Sequence, residues 1–206
     1  PSCFRNLQLV VNLGAGVDAL AGRNDLPAVP ITRISDPDMS RMMASYVLFA
    51  VLRYARDIPA FERAQREHRW HYVHPRRPSS VRVGVLGLGE LGGYAALELA
   101  RQGFDVRGWS RSPKQLPGVT CEHGTHSLDA FIASSDILVV MLPLTPHTEG
   151  LLSAERLALL PAGSCFINVS RGALVDQTAL TEALASGRIA EATLDVFDRE
   201  PLPPED

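Results

Sequence analysis

The stretch Val81-Arg-Val-Gly-Val-Leu-Gly-Leu-Gly-Glu-Leu-Gly92 decides the fold of this chain. Its first six residues are mostly β-branched or apolar and predict a buried strand, and Gly87, Gly89 and Gly92 follow at once. The residues from Glu90 to Gln102 then have helical periodicity. A strand that passes through spaced glycines directly into a helix is the start of a βαβ unit.

The three glycines have separate mechanical roles in such a unit. Gly87 allows the tight turn, Gly89 lets a pyrophosphate approach bare backbone, and Gly92 lets the helix pack on its strand. Free N–H groups at the helix start face the phosphates. We therefore predict a dinucleotide site that includes Gly87, Gly89, Leu91 and Gly92. The alternative is a glycine-rich loop that serves only tight packing between strand and helix.

Strands and helices continue to alternate after this unit. Apolar runs predict further strands at Phe104–Trp109, Ile137–Leu142, Ser164–Val169 and Ala192–Val196. Helices are predicted at Leu128–Ile132 with Ser127 as cap, at a segment that ends over Leu157–Leu160, and at Thr178–Ala185 with Asp176 as cap. The pattern predicts an α/β fold, a doubly wound parallel sheet of the Rossmann type with helices on both faces.

The first third of the chain has a different pattern. A buried strand is predicted at Leu7–Asn12, which runs into Leu13-Gly-Ala-Gly-Val-Asp18, and a second short apolar run covers Val29–Ile34. Asp36 as cap and Pro37 at the first helical position predict a long helix. This helix is predicted to extend to Tyr54, and Pro59 to open a second helix. Trp70 is predicted to pack at a domain or subunit boundary, and Pro75–Ser80 to be a connector.

The end of the next strand predicts which dinucleotide binds. NAD sites place an Asp or Glu there for the ribose 2′-hydroxyl. Here the sequence reads Trp109-Ser110-Arg111-Ser112, with Lys114 just beyond. A hydroxyl and a guanidinium suit a 2′-phosphate, which a carboxylate would repel. We predict NADP(H), with NAD(H) bound at lower affinity; the alternative is an exposed arginine that contacts no ligand.

Composition argues against nucleic-acid-binding, metal-binding and membrane proteins. The 206 residues carry a formal net charge of −3 and no clustered basic face, so we expect no nucleic-acid partner. The three cysteines match neither a metal-ligand spacing nor a disulfide framework, so we expect no metal site and a reducing cytoplasm. No apolar run is long enough to predict a membrane span, and no secretory leader is recognised. Cys165 is predicted to be buried and inert.

Four motifs together resemble the D-isomer-specific 2-hydroxyacid dehydrogenase family. Leu13 to Asp18 resembles its substrate loop, and Leu142-Pro-Leu-Thr-Pro-His-Thr-Glu-Gly-Leu-Leu152 resembles the strand end and loop beside the cofactor. Asn168-Val-Ser-Arg-Gly-Ala-Leu-Val-Asp176 and Leu194-Asp-Val-Phe-Asp-Arg-Glu-Pro-Leu-Pro203 are similar to two further signatures in the right order. The similarity runs from Asn12 to the end of the chain.

The resemblance implies roles for particular residues. Arg171 occupies the position of the catalytic arginine, which holds the substrate carboxylate and polarises the keto oxygen. Backbone N–H groups at Ala15 and Gly16 would hold the same carboxylate. Glu200 matches the carboxylate that pairs with a catalytic histidine and raises its pKa. The resemblance also implies that Asp195 binds the nicotinamide carboxamide. With it, four further residues are expected to contact the cofactor: Leu142, Pro143, Val169 and Asp195.

The catalytic histidine is a departure from the family pattern. In the family it follows the glutamate motif further along the chain, whereas this sequence stops at Asp206. His147 lies in a Thr-Pro-His triplet but belongs to the Leu142 motif, so we interpret it as a loop residue. We expect a chain shortened at both ends. Residues 1–35 would be part of a second, flavodoxin-like substrate domain, 36–78 linking helices and connector, and 79–206 the NADP-binding Rossmann domain.

The resemblance implies NADPH-dependent reduction of a small 2-keto acid, such as glyoxylate or hydroxypyruvate, to the 2-hydroxy acid. An alternative is a non-catalytic NAD(P)-binding sensor or dimerisation module of the same fold. The apolar arc on the long helix from Met39 is interpreted as core or subunit contact, and the family then implies a homodimer.

Overall fold

The computed structural model describes residues 4–18, 20 and 23–205. Pro1, Cys3 and Asp206 lie outside the described residues, as do four further positions within the predicted 1–35 segment: Ser2, Ala19, Ala21 and Gly22. In the described N-terminal part, β1 (Val10–Asn12) pairs in parallel with β2 (Ile31–Arg33). The prediction that the first strand is buried is wrong, because Val11 is 54% exposed. No layer of the described residues covers this face of the two-stranded sheet.

Two helices connect this part to the rest of the chain. The first, α1 (Pro37–Ala55), begins as predicted, because the Asp36 side chain accepts from the Asp38 N–H and Pro37 is at the first position. The second, α2 (Ile58–Arg66), has Pro59 in its first turn, as predicted. Although α1 has 19 residues, none of the helices in the described ranges is long and apolar enough to cross a bilayer.

The remainder forms a six-stranded parallel sheet, and the predicted fold class is confirmed. Its strands are β3 (Arg82–Leu86), β4 (Asp105–Ser110), β5 (Val119–His123), β6 (Ile137–Val140), β7 (Ser164–Asn168) and β8 (Ile189–Leu194). The helices between them are α3 (Glu90–Arg101), α4 (Thr125–Ala133), α5 (Ala154–Leu157) and α6 (Gln177–Ala185). The spatial order β5-β4-β3-β6-β7-β8 is that of a doubly wound Rossmann sheet.

Each face of the sheet carries its own apolar core. On one face, α1 and α3 pack on Val83, Val85 and Val139, and on the other, α4 and α6 pack on Leu138 and Val140. Adjacent strand residues point to opposite faces, so a strand buried on both sides must be apolar throughout. This is the physical reason that β6 is recognisable from the sequence as a continuous apolar run.

Four sequence predictions need correction. The strand β5 was not predicted, because this edge strand is only partly buried and includes polar residues. Ser127 does not cap α4: Gly124 does, and the Ser127 hydroxyl lies inside the helix and donates to the His123 carbonyl. The helix α5 ends at Leu157 rather than continuing to Leu160. The N–H groups of Leu159 and Leu160 donate to carbonyls three residues earlier, so this stretch forms turns instead of α-helix. The last strand begins earlier than predicted, at Ile189.

The chain reverses its winding between β3 and β6. These two strands are neighbours in the sheet, with Leu86 opposite Val140 at their carboxyl ends, while the strands on either side wind outward in opposite directions. In open parallel sheets, ligands bind in the crevice at this switch point. The segments that follow Leu86 and Val140 are therefore where the fold predicts a functional site.

Candidate functional site

The glycine turn at the end of β3 combines two crowded positions with an open one. A Cβ on Gly87, which has φ +113°, would lie 2.7 Å from the Met141 carbonyl oxygen. A Cβ on Gly92 would lie 1.9 Å from the Gly87 carbonyl oxygen. A Cβ on Gly89 would meet no described atom within 4 Å. Packing within the chain therefore explains the first two glycines, and open space beside Gly89 suits the close approach of a ligand.

The start of α3 supplies donors to the same space. Gly89 is the N-cap of this 12-residue helix and has no side chain to pair with the first N–H groups. The Glu90 carboxylate accepts a hydrogen bond (2.6 Å) from the hydroxyl of Ser35, which lies just before α1. Leu91, in the first turn, is half-buried. Unpaired N–H groups beside bare backbone fit the pyrophosphate of a dinucleotide.

The turn after β4 presents a guanidinium and no carboxylate. Trp109 anchors it, because its indole N–H donates to the Gly124 carbonyl (3.0 Å). The Ser110 hydroxyl is buried and donates to the Ser112 carbonyl (2.7 Å), so it stabilises the turn itself. Arg111 and Lys114 are exposed. Ser110 and Arg111 were predicted to bind the 2′-phosphate of the ribose, and of the two only Arg111 is exposed to solvent. The role of each stays a prediction.

The turn after β7 is held by a buried asparagine. The Asn168 side chain donates to the Arg171 carbonyl (2.9 Å) and accepts from the Ser170 N–H (3.0 Å). The Ser170 hydroxyl donates to the Leu142 carbonyl, which joins this turn to the loop after β6. Leu142 and Val169 are nearly buried, while Pro143 is exposed beside them. The ends of β6 and β7 therefore form one connected wall of the crevice.

The structure brings Arg171 against the predicted substrate loop. Its Nη2 donates to Asp18 Oδ1 (2.8 Å), and its Nη1 donates to the Ser170 carbonyl (2.6 Å). A Cβ on Gly16 would lie 2.2 Å from Arg171 Nη2, so the loop backbone lies directly on the guanidinium. The hydrogen bond from Arg171, which outweighs the opposing effect of burial, lowers the pKa of Asp18. Ala15 is half-buried beside Gly16.

The segment after β8 lies beside the same turn. The Asp195 N–H donates to the Asn168 carbonyl (3.0 Å), and the Glu200 carboxylate accepts from the Phe197 N–H (2.9 Å). A Cβ on Gly172 would lie 2.0 Å from the Phe197 carbonyl carbon, so this glycine lets the segment pass close to the turn. Asp195 and Glu200 are exposed. Among the described residues, no histidine is hydrogen-bonded to Glu200.

Tyr46 of α1 also lies near this segment. Burial and, to a smaller extent, the Asp195 carboxylate raise the pKa of Tyr46.

Four residues of the site were not predicted as site residues, although all lie in the quoted motifs: Asp18, Asn168, Ser170 and Gly172. The signal that would have found them is their position next to Gly16 and Arg171 within those motifs.

A separate cavity of about 310 Å³ lies at the opposite, amino edge of the sheet. It is bounded by the end of α1 and by residues at the starts of three strands, such as Asp136 and Cys165. None of the predicted site residues lines it. We locate the functional site at the carboxyl edge, because the free helix start and Arg171 meet there. In the described ranges, no three His, Cys, Asp or Glu side chains come together as a metal site.

The family model and the sequence relatives agree on one protein family. Residues 48–206 match the family model described as D-isomer specific 2-hydroxyacid dehydrogenase, NAD binding domain. The chain is 42% identical over 203 residues to the glyoxylate/hydroxypyruvate reductase A of Yersinia enterocolitica, covering 96% of this chain and 65% of that protein. A corresponding enzyme of Serratia proteamaculans is 41% identical with the same coverage.

Solved structures agree with the sequence relatives. A D-isomer specific 2-hydroxyacid dehydrogenase from Xanthobacter autotrophicus, in complex with NADPH and MES, is 69% identical with a TM-score of 0.97, covering 100% of this chain and 65% of that one. An NADPH-dependent glyoxylate/hydroxypyruvate reductase from Sinorhizobium meliloti, in complex with NADP and sulfate, is 38% identical with a TM-score of 0.91, covering 97% and 65%. The chain therefore spans a little under two thirds of the length of these relatives.

Proposed function

The chain belongs to the D-isomer-specific 2-hydroxyacid dehydrogenase family, as its motifs predicted, and from that premise we propose that it reduces a small 2-keto acid with NADPH. Glyoxylate and hydroxypyruvate are the proposed substrates, because relatives at 41% and 42% identity are reductases of these acids. The product is the 2-hydroxy acid.

One observation carries this proposal: the guanidinium of Arg171 lies against the loop of Ala15 and Gly16. A substrate carboxylate bound beside both would accept hydrogen bonds from the backbone N–H groups of the loop and from the planar cation. The guanidinium is also suited to stabilise negative charge that develops on the keto oxygen during reduction. The small residues of the loop leave room for a short acid.

The cofactor proposal rests on the carboxyl edge of β3 and β4. The glycine turn would hold the pyrophosphate, and Arg111 with Ser112 would receive the 2′-phosphate on a turn that the Ser110 hydroxyl stabilises. Relatives solved with NADPH or NADP support this preference over NAD(H). Bound NADPH supplies the hydride. The nicotinamide end would lie near a set of four residues that the family motifs place in the cofactor site: Leu142, Pro143, Val169 and Asp195.

The proton of the reaction requires an acid near the keto oxygen. We propose that Glu200 orients the catalytic histidine that the family pattern places after the glutamate motif. A carboxylate next to a histidine raises its pKa and keeps it protonated as a donor near neutral pH. His147 is exposed in the loop after β6, and we assign it no part in this step.

Steady-state kinetics of the full-length protein test the proposal. We expect NADPH-dependent loss of glyoxylate or hydroxypyruvate, and Arg171→Ala is expected to lower kcat/KM by about 10²–10³-fold, the usual effect of losing a donor to a developing oxyanion. Arg101→Ala is the control, because this arginine is exposed and pairs with Glu98 on the surface of α3. Wild-type kinetics in the Arg171→Ala variant would contradict the mechanism.

A second variant tests the cofactor preference. Arg111→Ala removes the charged donors proposed for the 2′-phosphate, so we expect KM for NADPH to rise by about 10–100-fold. KM for NADH is the internal control and should stay within about twofold, because NADH has no phosphate at this position. A wild-type protein that uses NADH as well as NADPH would contradict the preference.

We propose further that two copies associate through α1 and the segment after α2. Val47, Ala50 and Val51 face the core, whereas Met42 and Phe49 on the same helix are 72% and 63% exposed. The segment after α2 adds Trp70 and Tyr72, which are 93% and 73% exposed. Large exposed apolar side chains favour a protein interface, and a two-fold dimer is the commonest form.

Sedimentation or light scattering of the full-length protein tests the dimer. Phe49→Asp places a charge in the proposed interface and should shift the protein toward monomer at micromolar concentration. Leu159→Asp is the control, because this exposed apolar residue lies in the turn after α5. A wild-type monomer at all concentrations would contradict the proposed association.

The remaining proposals concern organisation and location. We propose that residues 1–35 belong to a flavodoxin-like substrate domain, 36–78 link the domains, and 79–206 form the NADP-binding domain. We propose a cytoplasmic enzyme, because the spacing of its cysteines suits a reducing compartment. Nothing in the described part of the chain favours the non-catalytic sensor, and the position of Arg171 against the substrate loop favours catalysis.

A further inference from the structure

The ion pair between Asp18 and Arg171 joins two distant parts of the chain. The residues are 153 positions apart, and the pair spans from the substrate loop after β1 to the turn after β7. Both side chains are partly exposed, at 32% for Asp18 and 40% for Arg171. An ion pair with this exposure adds little to stability. Its location at the proposed substrate site therefore suggests a role in function.

We propose that Asp18 is a positioning residue that sets the orientation of the Arg171 guanidinium for the substrate. This inference rests on the proposed keto acid reduction and assigns a role to a residue outside the predicted site. The substrate loop thereby contributes more than backbone N–H groups: it also aims the cation that faces them.

The hydrogen bonds of the guanidinium support this role. A guanidinium has five N–H donors in one plane. Arg171 uses one donor of Nη1 on the Ser170 carbonyl and one donor of Nη2 on Asp18 Oδ1. Two fixed bonds on different nitrogens hold the plane against rotation, and three N–H donors are left for a carboxylate or keto oxygen. Without Asp18, the Ser170 carbonyl alone would hold the group.

The loop is shaped to seat this ion pair. A Cβ on Gly16 would lie 2.2 Å from Arg171 Nη2 and 2.6 Å from Asp18 Oδ1, so only bare backbone fits between them. The Asn12 side chain donates to the Gly16 carbonyl (2.7 Å) and fixes the loop at that point. Preorganised donors stabilise charge without having to reorient during the reaction. Asp18 supplies such preorganisation to Arg171.

The opposite role would be that of a competitor. If Asp18 occupied the arginine in place of the substrate carboxylate, its removal would strengthen substrate binding. Only one oxygen of Asp18 contacts Arg171 in the described hydrogen bonds, which leaves most donors free and favours positioning. The two roles predict changes of opposite sign, so kinetics separate them.

A double-mutant cycle on the full-length enzyme tests the proposal. Asp18→Ala is made in the wild type and in Arg171→Lys, and kcat and KM for glyoxylate are measured with saturating NADPH. In the wild-type background we expect kcat/KM to fall by about 10–100-fold, with KM raised and kcat lowered. In the Arg171→Lys background the same change should cost no more than about threefold, because the group that Asp18 positions is absent.

Two further variants and one binding assay complete the design. Asp18→Asn keeps an oxygen acceptor and should recover part of the loss. Asp25→Ala removes an exposed ion pair with Arg23 from the same N-terminal part and should leave kcat/KM unchanged. Oxalate, a non-reacting dicarboxylate, is titrated into each enzyme–NADPH complex, so the effect is also read without turnover. NADPH affinity should be the same in all variants.

Each outcome has a definite meaning. Equal losses in both backgrounds would overturn the proposal, because Asp18 would then act independently of Arg171. Tighter oxalate binding in Asp18→Ala would identify a competitor and overturn it too. If the wild type neither reduces keto acids nor binds oxalate, the proposed function itself fails. If the wild type is active and Asp18→Ala equals it, only the role of Asp18 fails.

Discussion

Gly92 lies against Gly87 so closely that a Cβ on Gly92 would be 1.9 Å from the Gly87 carbonyl oxygen. The contact joins the first turn of α3 to the end of β3, and the space beside Gly89 opens next to it. The same turn therefore contains Gly92, which the packing of helix on strand requires, and Gly89, which no packing within the described residues requires.

Gly92→Ala is expected to destabilise the fold. Its methyl group would overlap a backbone oxygen, which cannot move without displacing helix or strand, so the free energy of unfolding should fall by about 1–3 kcal/mol. Denaturant unfolding measures it. Gly93→Ala is the matched control, because its Cβ would meet only atoms at 3.8 Å and alanine favours a helix. Equal stability of the two variants would contradict this account of the turn.

Gly89→Ala is expected to leave the fold intact and to weaken cofactor binding. Its Cβ would meet no described atom within 4 Å but would enter the space proposed for the pyrophosphate. Titration with NADPH should show a Kd at least about 10-fold higher, while the unfolding midpoint stays close to that of the wild type. Unchanged NADPH affinity would argue against pyrophosphate binding at this position.

Asp136→Asn is expected to reduce stability at neutral pH. Burial alone would raise the pKa of Asp136, but hydrogen bonds from the Arg82 side chain (3.1 Å) and N–H (2.9 Å) outweigh it and lower the pKa below 3.8. The resulting stabilisation is present above the ordinary pKa and is lost as pH falls through the lower folded-state pKa. At pH 7 the substitution should cost about 1–2 kcal/mol.

Denaturant unfolding at pH 7 and at about pH 3 measures the Asp136 effect, and the difference between variant and wild type should shrink at the acidic pH. Asp129→Asn is the control, because Asp129 is 62% exposed and its pair with Arg156 should contribute below about 0.5 kcal/mol. A loss that stays the same at both pH values would contradict a role for the Asp136 charge.

Cys165 is expected to resist alkylation in the native protein. Cys165 is half-buried rather than fully buried as predicted, and desolvation and, to a smaller extent, the Glu191 carboxylate raise the pKa of its thiol to about 12. At pH 8 only roughly one molecule in 10⁴ would carry the reactive thiolate. Peptide mass spectrometry after iodoacetamide treatment should find Cys165 labelled only when guanidinium is added first. Native labelling at the unfolded rate would contradict this.

Local patterns were sufficient to predict much of the fold. The caps at Asp36 and Asp176 were recognised from single residues, and the structure shows both side chains accepting backbone N–H groups. The strands buried on both faces, such as β6, were recognised because burial on two sides requires an uninterrupted apolar run. The family was recognised because its motifs are short and contiguous in sequence.

Contacts at long range were decided only by the tertiary structure. The edge strand β5 is only partly buried, so its sequence contains no continuous apolar run. Only its pairing with β4 identifies it as a strand. The Ser110 hydroxyl was predicted to face a ligand, but the packed turn directs it to the Ser112 carbonyl. Apart from β5, the sequence by itself determined the order of strands and helices and the residue types at the carboxyl edge, because these follow from burial and local hydrogen bonding. The meeting of Asp18 with Arg171 was decided only when the chain folded, because their separation of 153 positions leaves no local pattern that could record it.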